Sequence, residues 1–358
     1  VLPEPDAQTL DLKSRIDGAL EAALDELSAA LAAEAPEAAG LADELREAAL
    51  SGGKRLRPIL CVWGYRAGGG AQADAIVRAA AALELVHTFA IVQDDLMDSA
   101  KTRRGRPALH VRLAEAAGED TGAATALLVA DLAMIAADRL LAASGFSGER
   151  LLAASGPYNL MRLDAVAGQY LDVAGPSAGV ADEAAALRVG SLKSGRYTVE
   201  GPLLVGAALA GDDPGVRKAL AAFGQAAGRA FQVRDDVLGV FGSPEVTGKD
   251  AGSDLRHGKP TVLVAKALRS TSEAERRFLD ARLGEPGLTD GELEQVRQII
   301  IASGALDETL ELIASLLGEA RRAVDVLSIP AAARDGLKRL ADLLALAPLD
   351  PGTSPAAL

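Results

Sequence analysis

The stretch His87–Pro107, HTFAIVQDDLMDSAKTRRGRP, ends an apolar run in three carboxylates, Asp94, Asp95 and Asp98. Four cations follow them, Lys101, Arg103, Arg104 and Arg106. On a helix, positions i, i+1 and i+4 share one side, so the three acids converge. Converging carboxylates repel, and near a helix C-terminus they also oppose the macrodipole. A hard divalent cation with oxygen ligands reverses the sign of that interaction. The arginines just beyond suit a phosphate that bridges the metal. Residue types and order therefore point to a magnesium–diphosphate site.

The chain repeats this arrangement in a looser form. Phe231-Gln232-Val233-Arg234 leads into Asp235-Asp236, and His257-Gly258-Lys259-Pro260 follows later, as Arg104-Gly105-Arg106-Pro107 follows the first acids. One aspartate pair alone reads best as a solvated helix end. Two pairs, each closing a helix too apolar for the surface, read better as facing walls of one cavity in a bundle. Magnesium takes one or two carboxylates and completes its shell with water and substrate phosphate, which suits a divided site. Lys54, Arg55 and Arg57 stand at a helix start, where free N–H groups and the dipole favour anions; alone, the segment reads equally well as a basic surface turn. Lys193-Ser194-Gly195 interrupts another apolar helix. Gly248-Lys249 is not a P-loop, since five residues separate Gly242 from Gly248 and Asp250 follows where Ser or Thr is required. Taken singly, His87 reads as a core histidine, and Cys61 and Trp63 as packing residues. No Ser-His-Asp or Cys-His arrangement stands out.

The elements that must position these groups are helices. Of 358 residues, 49% are hydrophobic but only 3% aromatic, and Ala and Leu dominate over β-branched runs. The class is all-α. Helical periodicity runs over 7–35, 41–50, 59–65, 72–98, 121–143, 148–173, 181–209 with its interruption at Lys193, and 216–240. Residues 242–259 read as a loop that closes over something, and 261–346 as four helices separated by GEPG, SGA and SIP. No linker divides the chain, so 1–346 forms one domain and 347–358 a disordered tail. A net charge of -13 argues against nucleic acid. The single cysteine rules out a disulfide framework and a cysteine zinc site. No charge-free apolar run reaches the ~18–20 residues of a membrane span, and the acidic N-terminus lacks a secretory layout. A cytoplasmic location without stable membrane insertion is expected.

GGKRLRP (52–58), DDLMD (94–98) with RRGRP (103–107), KSG (193–195), FQVRDDVLG (231–239) and GKP (258–260) together resemble the trans-isoprenyl diphosphate synthases, or polyprenyl synthetases, over about 15–346. The resemblance implies the all-α isoprenoid-synthase bundle around a deep cavity, a homodimer, and head-to-tail addition of isopentenyl diphosphate to an allylic diphosphate. It assigns Lys54, Arg57, His87 and Arg104 to isopentenyl diphosphate, and Arg103, Lys193, Ser194, Gln232, Lys249 and Lys259 to the allylic diphosphate. Asp94, Asp95 and Asp98 resemble the first magnesium motif and Asp235 and Asp236 the second, with three Mg²⁺ per site. Gly239 departs from the pattern: many relatives carry a third aspartate there. Phe89 lies five positions before Asp94, about 7.5 Å deeper at ~1.5 Å per residue, with small Ala90 beside it. That pattern resembles geranylgeranyl diphosphate synthases more than farnesyl ones. Farnesyl or longer-chain (C25–C35) synthases are alternatives. A class I terpene cyclase, lacking the isopentenyl site, and a non-catalytic subunit of a heteromeric synthase fit the motifs less well.

Overall fold

In the computed structural model, which describes residues 7–71, 73–175, 182–242, 252–285, 287–325 and 329–345, the alanine- and leucine-rich segments are helices. They are α1 (Ala7–Glu34), α2 (Gly40–Leu50), α3 (Leu56–Ala67), α4 (Asp74–Met97), α5 (Leu109–Ala117), α6 (Glu119–Ala142), α7 (Gly148–Ala174), α8 (Glu183–Gly190), α9 (Gly201–Ala210) and α10 (Pro214–Phe241). A short helix α11 (Ser253–Arg256) precedes α12 (Val262–Ser270), α13 (Glu273–Arg282), α14 (Asp290–Ala302), α15 (Ala305–Asp325) and α16 (Ala331–Ala345). Among the described residues the one strand pairing joins β1 (Thr102–Arg103) antiparallel to β2 (Arg106–Pro107). Lys249, half of the expected 242–259 loop and the tail 347–358 lie outside the described residues.

α4 is the central helix. From Ala79 to Val86 it is buried on every side, and its small side chains let α6 pack along it. Among the described residues α4 alone is long and apolar enough to cross a membrane, yet most of its apolar window is covered by the bundle. α10 packs against α15 and α3 against α9. Phe223 and Leu220 of α10 are fully buried, each contributing roughly 2 kcal/mol relative to exposure. The core also encloses charge. Arg55, in the left-handed region at φ 51°, donates to Glu84 of α4 at 2.7 Å and to Asp17 of α1 at 2.6 Å. Both Arg55 and Glu84 are buried, so removing Arg55 would strand Glu84 at a cost of about 3–5 kcal/mol, whereas Arg55 without Glu84 would keep Asp17.

Two boundaries differ from the sequence reading. Lys193-Ser194-Gly195 does not interrupt a helix: residues Ser191–Glu200 form a π-helical segment that joins α8 to α9 without a break. The C-terminal part contains five helices after α11, not four. The additional division falls at Thr271-Ser272, where the Ser272 hydroxyl accepts from the Glu275 N–H and the Glu275 carboxylate accepts from the Ser272 N–H. α5 is a further element that the pattern did not place.

Candidate active site

The first acids sit where α4 runs out. Asp98 is its C-cap, and its N–H donates to the Asp94 carbonyl at 2.9 Å. The chain then turns back through β1 and β2. Arg104 and Gly105 between them both have positive φ, 52° and 73°, as a two-residue hairpin turn with the right twist requires. The turn sends neighbouring arginines to different partners. Arg103 donates from Nη2 to Asp94 Oδ2 at 3.2 Å and from Nε to Asp95 Oδ1 at 2.8 Å, and a further contact joins Nη2 to Asp95. Arg104 donates to the Gly52 carbonyl at 2.8 Å, beside the Lys54–Arg57 turn.

The π-helical segment supplies the next cation. Lys193 Nζ stands 2.5 Å from Asp172 Oδ2 and 3.1 Å from Asp94 Oδ1. Its backbone lies against α7 so closely that a Cβ on Gly168 would fall 2.1 Å from the Lys193 nitrogen. From the same segment, Thr198 accepts from Arg57 at 2.7 Å, and the Arg57 guanidinium stacks over Tyr197, 4.4 Å from the ring centroid. Across the cleft, at the end of α10, Asp235 accepts from Arg234 at 2.8 Å, and Asp236 accepts from Gln232 at 2.8 Å.

One cavity of about 530 Å³ is shared by Arg57, His87, Asp94, Arg103, Lys193, Ser194 and Asp235, with Phe89 and Ala90 on its apolar wall. The two aspartate-bearing helix ends therefore do meet. Of the three acids expected to converge, only Asp94 lines this cavity. Asp95 is buried against Arg103 and faces a neighbouring cavity of about 240 Å³ that it shares with Arg104. Asp98, Lys54, Arg104, Gln232, Asp236 and Lys259 stand outside the main lining.

Electrostatics divides the acids. Burial alone pushes Asp94 up, but Lys193 and Arg103, with Lys259 further off, hold it down at about 2. Burial wins at Asp95, which is raised despite Arg103. Asp236 is pushed up to about 8, first by burial and then by Asp254 and Asp235, against the Gln232 hydrogen bond. Burial and the nearby Arg57, Arg104, Arg103 and Arg55 drive His87 well below the usual histidine range, so it stays neutral. Lys54 is lowered by desolvation and Arg234, against the pull of Asp235. The donors offered to a cation are carboxylate oxygens, with Asp94 ionised, which suits a hard metal. Among the described residues no three His, Cys, Asp or Glu side chains gather tightly enough to hold a metal alone.

The polyprenyl synthetase family model matches residues 40–300. The chain is 37% identical to a geranylfarnesyl diphosphate synthase from Aeropyrum pernix over 72% of its length and 78% of the relative's. It is 30% identical to a geranylgeranyl pyrophosphate synthase from Geoglobus acetivorans over 86% and 91%. The structure superposes with a TM-score of 0.88, at 31% identity, on the geranylgeranyl pyrophosphate synthase of Corynebacterium glutamicum complexed with isoprenyl diphosphate and magnesium, covering 93% of this chain and 98% of that one. The chain belongs to the polyprenyl synthetase family. It is a prenyltransferase with the helical bundle of that family.

The synthetase places beside these groups residues that motif reading passed over. Gln169 of α7 donates to Asp94 at 3.2 Å, and Asp172, one turn on, accepts from Lys193. The signal was present as polar residues at i and i+3 on one face of the helix. Arg55, the middle cation of the Lys54–Arg57 turn, belongs to the core rather than to the cleft.

Proposed function

We propose that this synthetase condenses isopentenyl diphosphate with an allylic diphosphate, head to tail, and releases geranylgeranyl diphosphate. The observation that carries the reading is the shared cavity: Asp94 and Asp235 from two helix ends, Lys193 and Arg103 between them, and an apolar wall behind. Magnesium, three ions per site in this reading, would neutralise the diphosphate leaving group. Asp94, Asp98 and Asp235 would hold it, with Asp95 and Asp236 behind them. Lys193, Ser194, Arg103, Gln232, Lys249 and Lys259 would bind the allylic diphosphate, and Lys54, Arg57, Arg104 and neutral His87 the isopentenyl diphosphate. Charge that develops as the allylic C–O bond breaks is then met by fixed cations rather than by water. The apolar wall shields the allylic carbocation from hydrolysis. No protein base is required, because the departing diphosphate takes the final proton.

Large apolar side chains stand out on one side of α6 and α7. Leu128, Ile135, Leu152 and Leu163 are each more than half exposed. A patch of this kind marks an interface, and in this reading a second copy of the chain covers it. A cytoplasmic setting belongs to the same reading, in keeping with the one cysteine, Cys61, a buried free thiol.

The test is incubation with Mg²⁺, isopentenyl diphosphate and each of the C5, C10 and C15 allylic primers, with products identified by mass spectrometry. Consumption of isopentenyl diphosphate to a C20 diphosphate is expected. A C25 product would place the chain with its Aeropyrum relative. A cyclised hydrocarbon formed without isopentenyl diphosphate would replace the reading with a cyclase, and absence of turnover by the chain alone with a non-catalytic subunit.

A further inference from the structure

The face that α10 turns to the core reads Ala230, Val233, Arg234, Val237, Val240 and Phe241, a buried stripe with one charge among apolar side chains. Arg234 is only 8% exposed. A cation there must be neutralised and its donors filled. Nη2 donates to Asp235 Oδ1 at 2.8 Å, and Nη1 donates to the Leu344 carbonyl at 2.7 Å. The guanidinium also stacks over Phe231, 4.9 Å from the ring centroid. Leu344 stands in the last turn of α16, where carbonyls lack partners within the helix and the dipole favours a cation. The two groups that Arg234 joins differ in setting. Leu344 is buried, whereas the Asp235 side chain is 41% exposed and lines the main cavity. Arg234 stands outside that lining, and its charge is felt at Lys54. α16 lends no residue to the lining of either cavity.

We propose that Arg234 is a positioning residue, which orients the Asp235 carboxylate toward a metal by tying it to the C-terminal end of α16. A guanidinium presents its N–H groups in one rigid plane, so an acceptor held at Nη1 sets where Nη2 points. The Leu344 carbonyl is itself fixed by the packing of α16 against α10, α15 and α3. One oxygen of Asp235 is thereby anchored from behind, as metal-binding carboxylates are by partners that do not touch the ion. A helix with no side chain in the cleft thus becomes part of its second acid wall. A cation so near also opposes a metal by charge, so orientation and charge predict opposite signs when Arg234 is replaced. The inference rests on the prenyl-transfer reading of the same cleft.

The test titrates Mn²⁺ by electron paramagnetic resonance, with inorganic diphosphate present, in the full chain. Arg234→Met, which suits the apolar stripe, should raise the Kd for Mn²⁺ about tenfold to a hundredfold, the usual effect of removing a partner behind a metal ligand. Arg234→Lys should raise it as well, because an ammonium keeps the charge but loses the fork. Misfolding would instead reduce the number of Mn²⁺ sites and leave the Kd of the remainder, so a partly folded variant still gives a reading. The Lys variant, which keeps the buried charge beside Asp235, supplies the Kd should the Met variant not fold. Hydrogen exchange without metal reads the other end of the link: the last turn of α16 should lose protection in both variants, while α4 and α6 keep theirs. A Kd unchanged or lowered in either variant, or full protection retained at the end of α16, overturns the inference and leaves the prenyl-transfer reading standing. Wild-type protein that binds no Mn²⁺ with diphosphate overturns that reading, and this inference with it.

Discussion

Asp94 is ionised because Lys193 and Arg103 stand beside it, and those two cations also have Asp172 and Asp95 as partners. Removing the Asp94 charge therefore strands neither cation. Asp94→Asn should keep the fold but lower turnover about a hundredfold to a thousandfold or more, the range for losing one fixed electrostatic group. Steady-state kinetics beside a thermal melt checks both halves. Asp235→Ala should behave alike in turnover. His87 makes a different prediction, in the free protein. Its folded pKa is depressed, whereas the unfolded chain titrates at the ordinary value near ~6.5. Below that pH the unfolded state binds the extra proton, so His87 costs stability as pH falls and nothing above it. Urea melts from pH 5 to 7.5 should show the stability of His87→Gln relative to wild type rising toward acid. A difference that stays constant with pH would contradict the neutral assignment.

Phe89 shows how an element sets a dimension. It packs on one side against the main core and on the other against Val92 of α4 and Ala126 and Ala130 of α6. Its neighbours Ala126 and Ala130 are small, so Phe89→Ala should deepen the cavity and lengthen the product by one or more C5 units, read by mass spectrometry. An unchanged product spectrum would remove Phe89 as the floor. Much of this was legible before the structure. The helices followed from periodicity, and the acid and basic clusters from local spacing. The less legible parts depend on contacts between distant segments. Gly168 and Lys193 must touch before the π-helical register makes sense, and Arg55 could be told from Lys54 and Arg57 only once Glu84 and Asp17 closed over it. The division at Ser272 was available as Ser-x-x-Glu, a short signal inside a longer apolar pattern. That Asp94 and Asp95 part company, one into each cavity, follows from the ~100° between successive helical residues, and Arg103, bonded to both, stands where the two cavities adjoin.

At the scale of the whole molecule, the exposed apolar side of α6 and α7 makes oligomeric state the property to measure. Leu163→Glu, at a side chain 64% exposed, should leave the fold of the single chain intact and halve the sedimenting mass. An unchanged mass would place the interface elsewhere. The π-helical segment 191–200 has a consequence for how such a chain can vary. Its hydrogen bonds span one residue more per turn than an α-helix, so it behaves as a retained insertion. Loss of one residue there would let the segment relax to the ordinary α-helical register and leave α9 near its present face, because the π turns already absorb the extra residue. Loss of a residue from α9 itself would rotate everything after it by about 100° and turn a new face to α3. Single-codon deletions should therefore cost less stability within 191–200 than within 201–210, an asymmetry that thermal melts across a deletion scan would expose.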